Sequence, residues 1–151
     1  MSTLNVNTIV DATGSGGTNV KVANNSTYVS DGGSVTQNTV QGLVKAWSHF
    51  QGGGTEAHVD SNNFDVSTID DDGAGDFGVH FINNMSNVTY AVVNGMDDDG
   101  VSTAIVGIDT TNGTMATGGF DFETFYLTGT GANRTNYDYY NCYIAVIGDL
   151  A

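Results

Sequence analysis

At 151 residues the chain is long enough for one ordinary domain, with or without a small appendage. Its 17 acidic residues against three basic ones leave a formal charge of −14, a surface that repels nucleic-acid phosphates and anionic membranes and argues against both as partners. The charge fits solubility, and it leaves open divalent-cation binding or a salty medium that screens self-repulsion.

The vocabulary is that of strands and tight turns. Hydrophobic residues make up 39% and aromatics 10%, enough for one core, yet the chain has few of the residues that build helices. Thr, Val, Asn, Asp and Gly dominate instead. With 21 Gly and no Pro, turns at positive φ must rely on Gly, Asn and Asp. The fold class expected is all-β. Cys142 stands alone, so no intrachain disulfide can form, and its apolar setting in NCYIAVIG makes it a small buried hydrophobe. The opening MSTLNVNTIVDATG has neither a basic segment nor a long apolar core, so no signal peptide is expected. No run approaches membrane-spanning length.

Residues 1–42 contain one aromatic, Tyr28, and short alternating pieces at Leu4, Val6 and Thr8, at Val20 and Val22, and at Val35. These are too short and polar to bury a core of their own. The segment is either a flexible tail or a β arm that packs on other chains, and its repeated pattern favours the second. From residue 43 to 151 the pattern becomes a run of strands. LVKAWSHF leads into Gly52, Gly53 and Gly54, and TEAHV follows. Trp47, the largest side chain available, is expected in the core. NFDVSTI and DFGVHFI flank DDDGAG as a hairpin, with Phe77, Val79 and Phe81 on one face and Asp76, Gly78 and His80 on the other. VTYAVVNG and VSTAIVGI, separated by Met96, three Asp and Gly100, read as a second hairpin. FDFETFYL places Phe120, Phe122, Thr124 and Tyr126 together, and YYNCYIAVIG is apolar on both faces, the mark of a central strand. Some seven or eight strands at this spacing predict an antiparallel β-sandwich, jelly-roll or immunoglobulin-like, with an extended N-terminal β arm.

Candidate chemistry is sparse. Asp70, Asp71, Asp72 and Asp76 invite a calcium reading, but an EF-hand laid from Asp70 puts Ala74 and Phe81 in ligand slots. That cluster and Asp97, Asp98 and Asp99 are expected to be solvated hairpin tips. His49, His58 and His80 form no metal-ligand spacing, although a sheet could bring His49 and His58 together. Ser15 lacks the outer glycine of a nucleophile elbow, and no phosphate-binding loop is present. The carboxylates permit glycosidase chemistry, but no pair stands apart. No catalytic, cofactor-binding or metal-ligating residue is therefore assigned, and an enzyme is not expected. Tyr137, Tyr139, Tyr140 and Tyr143 lie close together with aromatic rings on both faces, and core packing explains most of them without a ligand. Arg134, the only Arg, is expected to pair with Asp138, Glu123 or a neighbouring subunit.

The opening MSTLNVNTIVDATGSGGTNVKV resembles the start of many short tail-fibre and related virion proteins of phages of marine bacteria and cyanobacteria. The stretch from VKAWSHF to YAVVNG is similar to a module near the C-terminal end of such fibres. There a Trp-containing strand, a Gly-rich turn, a hairpin and a YAVV-like strand follow in that order. YIAVIGDLA looks like the common closing strand. Trp47, Phe50, Phe64, Val66, Ile69, Asp76, Phe77, Val79, Phe81, Tyr90 and Val92 match the framework, as core and turn positions. The resemblance implies a non-enzymatic virion protein, usually trimeric and assembled in the host cytoplasm. Such fibres carry a long segment before this module, whereas here a short arm precedes it, which points to a short fibre, a fibre tip or a capsid decoration. Its partners would be itself, other tail or capsid proteins and, in the alternative reading, host surface glycans. That alternative is a carbohydrate-binding receptor-recognition module, with loops near Asp97 to Gly100 or Asn133 to Tyr137 as the contact.

Overall fold

Short strands run throughout the described chain, the clearest of them alternating apolar and polar residues, and every described pairing is antiparallel. A computed structural model describes residues 27–29, 36–38, 40, 42–53, 59–97, 104–108, 115–128 and 133–151. The expectations for Leu4, Val6, Thr8, Ser15, Val20, Val22, Val35, His58, Asp98, Asp99 and Gly100 fall outside those residues. The chain divides into two units, Met1–Val40 and Gln41–Ala151. In the first, β1 (Thr27–Val29) and β2 (Thr36–Asn38) form a two-stranded ladder.

The second unit is an antiparallel β-sandwich of two sheets. One sheet has four strands: β3 (Val44–Phe50), β4 (Val59–Phe64), β7 (Ala91–Met96) and β11 (Cys142–Ile147), in the order β4-β3-β11-β7. The other has five: β5 (Val66–Gly73), β6 (Asp76–Phe81), β8 (Ala104–Ile108), β9 (Gly119–Thr128) and β10 (Asn133–Asn136). The sandwich thus has nine described strands, more than the seven or eight expected.

Between the sheets lies an aromatic core. Phe50 of β3 meets Phe77 of β6 edge-on at 5.5 Å and Phe122 of β9 at 5.6 Å. Val66, Ile69, Val79, Phe81, Phe120, Cys142, Ile144 and Val146 complete it. The expected grouping of Phe77, Val79 and Phe81 holds, as does the central place of the last strand; of Phe120, Phe122, Thr124 and Tyr126, the first three are buried and Tyr126 is half-buried. Cys142 forms no disulfide and is fully buried.

The chain moves from the four-stranded to the five-stranded sheet at a single residue. Asp65, between β4 and β5, takes φ of 60°. A β-carbon is strained in this left-handed region, but Asx side chains tolerate it when they find local partners. Here the Asp65 carboxylate accepts from the Asn83 backbone N–H at 3.1 Å and from its side-chain amide at 2.6 Å. The Asp65 carbonyl accepts from Ile82 at 3.1 Å. The corner is locked by the segment that follows β6.

Two expectations need correction. β7 and β8 do not form a hairpin: β7 pairs with β11, and β8 pairs with β9 in the other sheet. The end of β7 is tied instead to the start of β11, where the Asp97 N–H donates to the Asn141 carbonyl at 2.9 Å. In addition, Asp70 to Asp72 are not a hairpin tip. They lie in β5, and the turn is Ala74 and Gly75 after Gly73 at the strand's end, with both glycines at positive φ.

That turn carries one of the tightest contacts of the fold. β6 and β10 both pair with β9, β6 along residues 119–123 and β10 along residues 125–128. Thr124 is the handover point between them. Its N–H donates to the Gly75 carbonyl at 2.8 Å, and its carbonyl accepts from the Tyr137 N–H at 3.1 Å. Its buried hydroxyl donates to the Tyr137 carbonyl at 2.7 Å, and the Gly75 N–H donates to the Asp138 carboxylate at 2.5 Å. A β-carbon at Gly75, where φ is +67°, would stand 2.1 Å from the Thr124 carbonyl oxygen and 2.7 Å from the Tyr137 nitrogen. Both neighbours are backbone and cannot step aside. Gly75→Ala should therefore cost about 3 kcal/mol or more. Denaturant unfolding measures this directly, and a midpoint equal to the parent's would refute the packing at Thr124.

Tyr90 supplies a second test. Its phenol sits in the core, 2.6 Å from the Gly119 carbonyl and 2.9 Å from that of Ala116, with its one proton available to either acceptor. Burial, and then the Asp121 carboxylate, push its pKa up to about 12 from 10.0. The folded-state value lies above the unfolded one, so the contribution is complete below pH 10 and fades as pH rises through 12. It should amount to some 2–3 kcal/mol. Parent and Tyr90→Phe should accordingly differ in stability at pH 9 and converge as the pH rises. A gap that stays constant through that range would contradict burial of the phenol.

Candidate functional site

The strands of the four-stranded sheet have two usable faces, and the pleat decides which residues share each one. Ala46, Ser48 and Phe50 of β3 point inward with Cys142, Ile144 and Val146 of β11, so the residues between them point out. The register lines these up in rows across the sheet. One row runs Phe64, Trp47, Ala145, Val93 through β4, β3, β11 and β7. A second runs His49, Tyr143, Gly95. The third runs Val44, Ile147, Ala91. A bulge at Lys45 shifts the β3 register by one residue and brings Val44 opposite Ile147.

This outer face is apolar and open. Phe64 is 55% exposed, Trp47 41%, Val93 58%, Tyr143 42% and Val44 45%. No residue of β3, β7 or β11 is acidic. Trp47 and Phe64, expected in the core, are therefore on the surface. Trp47 and Phe50 are three positions apart and must face opposite ways. Phe50 takes the inner side because Phe77 and Phe122 enclose it there.

One end of the face closes in a polar corner. The His49 ring stacks on the Tyr143 ring with centroids 4.7 Å apart. His49 Nε2 donates to Asn141 Oδ1 at 2.8 Å, and the Asn141 amide donates to the Asp97 carboxylate. The Tyr143 phenol donates to the other Asp97 oxygen at 3.3 Å. Desolvation, then the Asp97 charge, hold the Tyr143 phenol above its ordinary pKa. At the other end, an open groove of 290 Å³ is lined by Asn87, Thr89, Tyr90, Ala91, Ile147, Gly148 and Asp149. Sequence reasoning found Tyr143 and Asp97 separately and missed their convergence, because β7 was paired with the wrong strand.

The five-stranded sheet presents the opposite character. Strands β5, β6 and β9 contain Asp70, Asp71, Asp72, Asp76, Asp121 and Glu123. Asp72 Oδ2, Asp121 Oδ1 and His80 Nε2 fold over Gly78, each within 3.3–3.4 Å of where a β-carbon would lie. His80 pairs with Asp70 at 2.8 Å in an exposed position. Arg134 pairs with Glu123, one of its expected partners, and its guanidinium carbon stands 4.3 Å from the Phe125 ring centre. Among the described residues, no three His, Cys, Asp or Glu side chains are arranged to hold a metal ion. No described helix is long and apolar enough to cross a membrane.

Of the last tyrosines, Tyr139 is fully buried, while Tyr140 and Tyr143 are 52% and 42% exposed. Tyr139 precedes β11, so strand parity does not govern it. Protein-family models, curated proteins and solved structures give no match to the chain.

The placement of Phe50 and Trp47 predicts opposite costs for truncating them. Phe50→Ala should destabilise by about 3–5 kcal/mol. In dilute protein, Trp47→Ala should cost under about 1 kcal/mol, despite the larger side chain. Equal losses in denaturant melts would mean that Trp47 is buried after all.

Proposed function

We propose that the chain is a non-enzymatic structural protein of a bacteriophage particle, a short trimeric fibre or capsid-surface decoration that contributes to host attachment. The observation that carries this reading is the contrast between the outer faces of the sandwich. One is acidic and suited to water; the other is broad, apolar and free of acidic residues along β3, β7 and β11. Large exposed apolar patches on soluble domains mark surfaces that meet other molecules. A subunit held in a particle needs one such face and one that stays soluble. The resemblance of the opening segment and of the strand order to virion proteins supports the same reading.

The corner formed by His49, Asp97, Asn141 and Tyr143 favours a second reading, a carbohydrate-binding module of a fibre tip. An exposed aromatic ring beside amide and carboxylate groups suits a sugar, which stacks through its C–H face and hydrogen-bonds through its hydroxyls.

Quantitative mass spectrometry of purified particles tests the leading reading. The chain should be present in stoichiometric amount, and antibody labelling should mark a fixed place on head or tail. Recovery only in the soluble part of the lysate would sink it. A glycan array with the purified chain addresses the second reading: reproducible binding that is lost in Asn141→Ala supports it, and an empty array removes it.

A further inference from the structure

We infer that the outer face of the four-stranded sheet is covered, in the assembled protein, by a second copy of the same chain. Phe64, Trp47, Tyr143 and Val93 form the centre of the contact. The inference rests on the reading of the chain as an assembling subunit, and adds which surface assembles and with what.

Area is the first argument. Val44, Trp47, Phe64, Val93 and Tyr143 are each 41–58% exposed and lie in adjacent rows of one face. Together they present roughly 500 Å² of side-chain surface, at the upper end of what monomers leave open. A standard interface uses about 800 Å² per partner, so these five residues supply well over half, with the polar corner as rim.

Charge identifies the occupant. Each copy carries −14, so two copies repel wherever acidic surfaces meet. Approach through the five-stranded sheet would bring Asp70, Asp72, Asp121 and Glu123 against their counterparts. Approach through β3, β7 and β11 brings no carboxylate of those strands into contact. A basic partner would be drawn to the acidic face instead. The composition of the apolar face, with Trp47, Tyr143 and Phe64 exposed and no acidic residue along β3, β7 and β11, is that of the core of an interface between identical subunits.

The sole tryptophan makes this measurable, because Trp47 lies in the contact. The full chain is examined by sedimentation velocity and by Trp47 fluorescence over a dilution series. An oligomer with blue emission and poor quenching by acrylamide is expected at high concentration, shifting to red, quenchable emission as it dissociates. Added NaCl should strengthen association by screening the acidic surfaces. Val93→Glu places a carboxylate in the contact on a side chain that is 58% exposed, so the variant should fold, as circular dichroism will check. It should weaken association by about a hundredfold or more. Thr68→Glu adds the same charge to an exposed position of the other sheet and should change association by less than about threefold.

If Val93→Glu assembles as the parent does, this face is not the contact, while the virion reading stands on its own test in purified particles. A chain that stays monomeric, with exposed Trp47 emission at every concentration, also overturns the inference. So does a monomer whose Trp47 emission responds only to added bacterial surface polysaccharide, which would make a glycan the occupant.

Discussion

β9 is one continuous strand, but on one side its partner changes at Thr124 from β6 to β10. A strand cannot be handed from one neighbour to another without a point where three segments crowd together. Here Gly75, Thr124 and Tyr137 meet backbone to backbone, and every polar group at the junction named above has found a partner. Only glycine fits at the centre, both for its φ and for the absence of a β-carbon. Once the junction is made, Phe77 and Phe122 are set side by side, 5.4 Å apart, and Phe50 from the opposite sheet can close on both. The aromatic core and the separation of the two outer faces therefore depend on this short contact.

From that separation follows the chemistry of the surface. The pleat sends alternate residues to opposite sides, so a strand with apolar residues at every position must show some of them to the outside unless another layer covers it. β11 is such a strand, and the apolar residues of β3 beside it likewise fall on both faces. The five-stranded sheet solves the same problem in the ordinary way, with Asp70, Asp121, Glu123 and His80 alternating with Ile69, Phe120, Phe122 and Val79.

The clean alternations were legible in the sequence. Phe77, Val79 and Phe81 alternate with Asp76, Gly78 and His80, and Phe120, Phe122 and Thr124 with Asp121 and Glu123, and so announce their inner face. The last strand announced its central place by lacking that alternation. What failed were choices that the local pattern leaves degenerate. Trp47 and Phe50 must oppose each other, yet size alone ranks the wrong one for burial. β7 and β8 look like a hairpin because an Asp-Gly-rich segment joins them, but long-range pairing with β11 and β9 overrides turn propensity. Asp70 to Asp72 look like a turn by composition and are held extended by their ladder with β6. The polar corner was hidden for the same reason, since Asp97 and Asn141 meet only through the β7–β11 ladder.

Cys142 gives the sandwich an internal clock. Its thiol is fully buried, with the sulfur 3.8 Å from the Tyr139 carbonyl, and no other cysteine competes with it. An alkylating reagent attacks the thiolate and cannot reach it between closed sheets. The rate at which the protein consumes such a reagent therefore reports how often β11 leaves its place between β3 and β7. Under the assembly proposed above, that single sulfur would distinguish a subunit that breathes freely from one clamped by a second copy.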